Sequence, residues 1–205
     1  MFKRLPFLFL LFASATALAR PTILIYGDSL SAGHGIQVEQ SWPALIAKRA
    51  ENNRPAFDLS NASISGETTA GGRSRLAQTL DRVQPNVMVL ALGANDGLRG
   101  LPVAQMRENL SAMVRAAKAR RARVLVVGMK LPPNYGPIYA RQFESAFADV
   151  AREEKVALLP FLLEPIALDA NAYQSDGLHP TAAAQAAIAE HVWSGLKPLL
   201  LQSGL

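Results

Sequence analysis

Short apolar runs alternate with longer amphipathic stretches along most of this chain. The runs are three to six residues long and are rich in valine, isoleucine and leucine. Such runs are typical of parallel strands that are buried on both faces of a sheet. Five strands are predicted in this way, at residues 22–26, 57–59, 87–92, 124–127 and 156–159. The strand pattern is weakest for the second of these, at residues 57–59.

Helical patterns fill the intervals between the strands. Ser41 stands where an N-cap is expected, and Pro43 falls in the first turn of the helix that follows. The first predicted helix begins at Ser41. The other predicted helices span residues 68–83, 103–121, 138–154 and 181–196. Strands that alternate with helices indicate a parallel sheet with helices on both faces. Ligands of such sheets bind at the carboxyl ends of the strands.

The first nineteen residues have the three parts of an export signal in order. A positively charged start is followed by an apolar run over residues 5–12 and by the small residues Ala17 and Ala19. A retained membrane anchor is the alternative, but the apolar run is shorter than the roughly 20 residues that a spanning helix needs. We therefore expect residues 1–19 to be a signal peptide, residues 20–205 to form one domain, and the protein to be periplasmic or secreted.

Composition excludes several classes of protein. Half of the 205 residues are hydrophobic and 18% are charged, which excludes an intrinsically disordered protein. Without the signal segment, 19 basic and 16 acidic residues leave a net charge of +3. Nucleic acid is therefore not an expected partner, and membrane contact would be peripheral at most. The absence of cysteine excludes thiol catalysis and zinc–cysteine sites. Nothing indicates an obligate interface, so we expect a monomer.

The first candidate motif is Gly27-Asp28-Ser29-Leu30, directly after the first predicted strand. A serine at a sharp turn from strand to helix can present its hydroxyl at the edge of the sheet, with its own backbone N–H directed into the same space. A serine in this position is more commonly a helix cap. Ser29 is thus a candidate nucleophile only if a base reaches the same edge.

The second candidate motif is Asp176-Gly177-Leu178-His179-Pro180, near the C-terminus. Three-residue spacing across a glycine turn can bring the Asp176 carboxylate against the His179 ring. The carboxylate would then fix the tautomer and leave the other ring nitrogen free to take a proton from a hydroxyl. A loop that leads into a helix is the alternative. A metal site is less favoured because no further ligands cluster nearby.

Two further loops follow other strands, at residues 61–69 and 93–97. Glycine allows a backbone N–H to approach a substrate closely, and Asn95 offers a neutral side-chain donor. Together with the Ser29 N–H they could form an oxyanion hole of three donors, although turn formation alone would also explain both loops. Asp28 and Asp96 are expected to brace their loops by hydrogen bonds. The glycine-rich stretch at residues 65–72 lacks the ending of a phosphate-binding loop, and residues 27–33 do not match the dinucleotide-binding fingerprint.

In this order, the four segments resemble the four blocks of the SGNH (GDSL) hydrolase superfamily. Each block supplies one residue that the family shares, namely Ser29, Gly66, Asn95 and His179. The resemblance covers nearly all of the chain after the signal segment. It is greatest to the bacterial branch of periplasmic thioesterases, lysophospholipases and arylesterases. This resemblance implies a flavodoxin-like three-layer α/β/α sandwich with a five-stranded parallel sheet.

The function implied by this resemblance is hydrolysis of small acyl esters and thioesters. Ser29 would attack the acyl carbonyl, His179 would accept its proton and Asp176 would orient the imidazole. An acyl-enzyme would form and be hydrolysed without a metal or an organic cofactor. A carbohydrate O-acetylesterase is the alternative within the enzymes. A non-catalytic periplasmic carrier of acyl lipids, using the same apolar crevice, is the alternative outside them.

Overall fold

The five apolar runs form the strands of one sheet in the computed structural model, which describes residues 20–53 and 56–201. The predicted signal peptide at residues 1–19 lies outside the described residues. The strands are β1 (Thr22–Gly27), β2 (Asp58–Asn61), β3 (Val87–Ala91), β4 (Arg123–Val127) and β5 (Ala157–Leu159). The helices are α1 (Ser29–Ala32), α2 (Trp42–Glu51), α3 (Thr69–Val83), α4 (Ala94–Leu98), α5 (Val103–Ala119), α6 (Pro137–Glu154) and α7 (Gln185–Leu201).

All five strands are parallel, in the order β2-β1-β3-β4-β5. The chain first moves from β1 outward to β2 and then returns to the other side of β1 for β3. This reversal places a crevice at the carboxyl ends of β1 and β3, where open parallel sheets bind their ligands. Ser29 directly follows β1, and Asn95 lies in α4 after β3. The topology therefore brings these two candidate residues to one edge.

Helices cover both faces of the sheet and form three layers. On one face, α2 and α7 pack against strand side chains that include Ile23, Ile25 and Val87. On the other face, α3, α5 and α6 pack against a second set that includes Leu24 and Tyr26. Alternate residues of β1 thus enter opposite cores, and residues 23–26 are fully buried. The predicted three-layer α/β/α sandwich is confirmed.

The boundaries of β2 and α7 differ most from the prediction, while the other predicted elements agree within two residues. The strand predicted at residues 57–59 is Asp58–Asn61, because the Phe57 N–H donates to the Ala50 carbonyl at 3.1 Å and pairing with β1 begins at Asp58. The last helix begins at Gln185 and not at residue 181. The Thr181 N–H donates to the Ala172 carbonyl at 2.8 Å, which pairs this backbone with the segment before the histidine and delays the helix.

Candidate active site

The turn after β1 places Ser29 at the edge of the sheet. Asp28 caps α1 by accepting a hydrogen bond from the Leu30 N–H at 3.0 Å, and Ser29 is the first residue of that helix. A side chain at Gly27 would approach the Ser31 hydroxyl to 2.6 Å, so glycine lets the strand and the helix meet this closely. The expected bracing role of Asp28 is confirmed by its cap.

His179 lies between its two expected partners, the side chains of Ser29 and Asp176. Its Nε2 is 2.9 Å from the Ser29 Oγ, and its Nδ1 is 2.7 Å from a carboxylate oxygen of Asp176. Ser29 and His179 are 150 residues apart in sequence. The side chains of Asp176 and His179 are 40% and 18% exposed, so this hydrogen-bonded chain lies open to the surface at one end.

Backbone hydrogen bonds determine the charge state of Asp176. One carboxylate oxygen accepts the N–H groups of His179 and Leu178 at 3.0 and 2.9 Å across a turn in which Gly177 has a φ of +68°. These backbone bonds, followed by the bond to the His179 ring, hold the pKa of Asp176 well below its usual range. An ionised Asp176 favours the tautomer with a proton on Nδ1, which leaves Nε2 to accept the Ser29 hydrogen.

Asn95 and Gly66 reach the site in different ways. Asn95 lines the same cavity as Ser29, and Gly66 does not. Gly66 is linked to Asn95 through Glu67, the next residue. The Asn95 Nδ2 donates to the Glu67 carbonyl at 3.0 Å, which uses one of its two amide hydrogens and leaves the other for a ligand. Gly66 has a φ of +79°, a conformation that favours glycine, and the Arg99 guanidinium donates to its carbonyl at 2.9 Å.

A buried network joins the two loops that carry Gly66 and Asn95. Asp96 is only 3% exposed and accepts hydrogen bonds from the Thr69 N–H at 2.8 Å and from its hydroxyl at 2.5 Å. The Asn109 amide donates to the same hydroxyl at 3.2 Å. The expected role of Asp96 is therefore confirmed. The sequence gives no signal for Asn109, which lies within an ordinary helical pattern, and Thr69 is notable only as the last residue of the loop at 61–69.

An ion pair with a stacked ring supports the Gly66 loop from the other side. The Arg75 Nε is 2.5 Å from a Glu67 carboxylate oxygen, and Arg75 also donates to the Ala62 carbonyl at 2.9 Å. Its guanidinium carbon lies 4.2 Å from the centre of the Tyr26 ring. Burial raises the pKa of Tyr26 to about 12. The sequence carries no signal for this pairing, since Arg75 and Glu67 lie on different elements.

A largely apolar cavity of about 460 Å³ opens beside the Ser29 hydroxyl. Ser29, Asn95 and His179 supply polar groups, Lys130 and Tyr173 also line the cavity, and most of the remaining wall is apolar. The apolar wall comes from the segments after β4 and β5 and includes Met129, Leu131, Phe161, Leu163, Ala167 and Leu178. A cavity with this division can hold a hydrocarbon chain while its polar end meets the hydroxyl.

Two other features of the site concern charge and metal ions. Asp28 is almost fully buried, and its second carboxylate oxygen has no hydrogen-bond partner among the described residues. Burial raises the pKa of Asp28 to about 7.

His34, Asp176 and His179 have ligand atoms within 4.8 Å of one another and could hold a metal ion. The expectation that no further ligand lies near Asp176 and His179 is therefore wrong for His34. The group shares two members with the chain that leads to Ser29, so it is not a separate site.

The GDSL-like Lipase/Acylhydrolase family matches residues 25–187, a span that includes all five candidate residues. The chain belongs to this family. As a GDSL-like acylhydrolase it is a carboxylic ester hydrolase. The sequence-based expectation of family and fold is thereby confirmed.

None of the helices in residues 20–53 and 56–201 has the length and apolar character needed to span a bilayer.

Relatives of this acylhydrolase match it over nearly their whole length. Esterase TesA of Pseudomonas aeruginosa is 46% identical over 182 residues, which cover 89% of this chain and 90% of that esterase. Thioesterase 1/protease 1/lysophospholipase L1 of Escherichia coli is 39% identical over 196 residues, covering 96% and 93%. The crystal structure of the psychrotrophic esterase EstA from Pseudoalteromonas sp., inhibited by monoethylphosphonate, has a TM-score of 0.83 at 39% identity and covers 87% of this chain and 98% of EstA.

Proposed function

We propose that this acylhydrolase cleaves acyl esters and thioesters through a Ser29–His179–Asp176 triad and an acyl-enzyme. The observation that carries the proposal is the continuous hydrogen-bonded chain from Asp176 through His179 to Ser29, at the wall of an apolar cavity. A nucleophile, a base and a group that orients the base are the three parts that such catalysis requires.

The first half of the reaction forms the acyl-enzyme. The Ser29 Oγ bonds to the acyl carbon as its proton passes to the His179 Nε2, and the carbonyl π electrons move to the oxygen. Asp176 stabilises the imidazolium that results. When the carbonyl re-forms, the bond to the leaving oxygen or sulfur breaks, and that atom takes the proton from Nε2. A water molecule then repeats the sequence, which releases the carboxylic acid and regenerates Ser29.

The developing oxyanion is stabilised by three donors in this proposal. They are the Ser29 N–H, the Gly66 N–H and the free hydrogen of the Asn95 amide. Support comes from the Glu67 carbonyl, which orients that amide, and from the Arg75 ion pair and the Arg99 hydrogen bond, which hold the loop. Donors fixed before the reaction stabilise a transition state without having to reorganise.

The proposed substrates are small acyl esters and thioesters whose acyl chain enters the apolar cavity. The cavity supports this choice, because a polar sugar would leave its apolar wall without a partner. The relatives support it as well, since they are named an esterase and a thioesterase 1/protease 1/lysophospholipase L1. Leaving groups as different as an aryl alcohol and a thiol are compatible with one site, because His179 protonates either atom.

The proposal is tested with p-nitrophenyl esters and acyl-CoAs of increasing chain length. We expect turnover by the wild type and a loss of about 10⁴-fold or more in kcat for Ser29→Ala. Ser145→Ala, at an exposed position on α6, is the matched control and should retain full activity. An organophosphonate should add one phosphonyl group to the wild type and none to Ser29→Ala, as seen by intact mass.

Three outcomes would contradict the proposal. Wild type that binds acyl lipids without turnover would be a carrier. Strong preference for acetylated xylan over every acyl thioester would make the protein a carbohydrate O-acetylesterase. Equal turnover by wild type and Ser29→Ala would place the nucleophile elsewhere.

We further propose that residues 1–19 direct export and are removed, which leaves a periplasmic or secreted monomer. Support comes from the charged start, the apolar run and the small residues Ala17 and Ala19. After expression of the whole chain in a Gram-negative bacterium, the periplasmic protein should have the mass of a chain that begins at Arg20. Ala19→Arg should remain a precursor. A full-length protein held in the membrane would contradict the proposed export and cleavage. Gel filtration of the mature protein tests its proposed monomeric state.

A further inference from the structure

The side chain of Gln174 bridges two loops that are far apart in sequence. Its amide nitrogen donates to the His34 carbonyl at 2.8 Å and to the Pro180 carbonyl at 3.0 Å. Both amide hydrogens are therefore in use, one on each side. His34 lies in the loop that follows α1, 140 residues from Gln174, whereas Pro180 is the neighbour of His179.

Backbone hydrogen bonds extend this bridge to the reacting residues themselves. On one side, the His34 N–H donates to the carbonyl of Ser29 at 3.3 Å. On the other side, the Gln174 N–H donates to the carbonyl of His179 at 2.8 Å. A continuous path of hydrogen bonds thus runs from the main chain of Ser29 to the main chain of His179, with the Gln174 amide at its centre.

The space for this amide depends on Gly35. A side chain at that position would come within 2.1 Å of the Gln174 Oε1, and the φ of Gly35 is +73°. The amide therefore packs against bare backbone. The same arrangement holds the rings of His34 and His179 with their centres 4.3 Å apart. Packing and hydrogen bonds together limit how far the two loops can separate.

We propose that Gln174 is a positioning residue that fixes the distance between the Ser29 hydroxyl and the His179 ring. The proposal rests on the function proposed above. Gln174 does not line the cavity with the reacting groups, so it acts through the two loops and not on the substrate. Displacement of a reacting group by about 1 Å costs on the order of 100-fold in rate. The bridge holds the base in position relative to the nucleophile. Its loss should therefore lower kcat and leave KM nearly unchanged.

The test uses two variants that keep the size of the side chain. Gln174→Met removes both donors, and Gln174→Glu replaces them with an acceptor that faces two carbonyls. Gln78→Met is the matched control, because Gln78 is an exposed glutamine on α3. Each protein is assayed with short and long acyl esters, its rate of labelling by an organophosphonate is measured, and its melting temperature is recorded.

We expect both Gln174 variants to lose about 10- to 100-fold in kcat by the same factor for short and long esters. The rate of phosphonate labelling should fall in parallel, since labelling also needs Ser29 to be activated by His179. Gln78→Met should match the wild type in both rates. The melting temperature shows whether each variant is folded, and rates are compared at a temperature where all are folded.

Variants that label and turn over at the wild-type rate would overturn the proposal. A rise in KM with unchanged kcat would also overturn it, because it would place Gln174 in substrate binding. If Gln174→Met does not fold, Gln174→Glu decides by the same readouts, and Gln174→Asn replaces it if neither folds. Failure of the proposed function would look different, because the wild type itself would then neither turn over esters nor be labelled.

Discussion

Asn95 uses one amide hydrogen within the protein, and the other is the proposed donor to the oxyanion. One hydrogen is bound by the Glu67 carbonyl, so the orientation of the other is set before a substrate arrives. We expect Asn95→Ala to lower kcat by about 100- to 1000-fold with little change in KM, because the donor acts on the oxyanion and not on the ground state. Steady-state kinetics on a p-nitrophenyl ester measure this. Asn171→Ala, at an exposed position away from the cavity, is the control; a change confined to KM in Asn95→Ala would contradict the assignment.

Asp28 makes the stability of the protein depend on pH. Because burial raises its pKa to about 7 from 3.8, the folded state keeps a proton that the unfolded state releases. The free energy of unfolding contributed by Asp28 is therefore complete below about pH 4 and declines as the pH rises to about 7. Asp28→Asn keeps the Oδ1 acceptor for the Leu30 N–H but does not titrate.

Urea unfolding at pH 4.5 and 7.5 measures this effect. The free energy of unfolding of Asp28→Asn, relative to the wild type, should be higher at pH 7.5 than at pH 4.5 by at least about 1 kcal/mol. The same difference at both pH values would mean that Asp28 is ionised throughout the range.

At the scale of single elements, apolar content explains which parts of the fold were predictable. Strands β3 and β4 are buried on both faces, and their unbroken runs identify them directly. The short helices α1 and α4 were not predicted, because four and five residues are too few to show a helical period. Both carry site residues, so the least predictable elements are those nearest the chemistry.

The end of α3 offers a test of backbone strain in one element. Gln84 closes this helix in the left-handed conformation with a φ of 48°, and its exposed side chain makes little packing contribution. Gln84→Gly should raise the free energy of unfolding by about 0.5–1 kcal/mol, because glycine adopts this conformation without steric cost. Gln78→Gly, in the interior of the same helix, should lower it by about 1 kcal/mol. Urea unfolding of the two variants compares them, and a loss in both would contradict the role of φ.

The whole molecule brings together pieces that no local pattern joins. The Asp176–His179 pair could be predicted from its spacing, since three residues and a glycine turn are enough to form it. The pairing with Ser29 could be proposed only from the family resemblance, because nothing local links positions 150 residues apart. The bridge through Gln174 was not predicted at all. Its partners are backbone carbonyls, which leave no trace in the residue pattern.

In the proposed mechanism the assembled molecule should need no metal ion for hydrolysis. Both ring nitrogens of His179 are already engaged, one by Ser29 and the other by Asp176. Dialysis against EDTA should therefore leave kcat and KM for a p-nitrophenyl ester unchanged. Loss of activity on chelation, with recovery when Zn²⁺ is returned, would contradict the proposed mechanism and implicate the group of His34, Asp176 and His179.

The separation of Ser29 from His179 also sets the time at which a newly made chain can first react. At about 5–20 residues per second, roughly 8 to 30 seconds pass on the ribosome between synthesis of Ser29, the proposed nucleophile, and synthesis of His179, its proposed base. Throughout that interval the emerging chain carries an unactivated serine. In the proposed mechanism, ester hydrolysis is thus acquired only after His179 has been made and has folded against Ser29, and its first appearance would mark the end of folding and not the beginning.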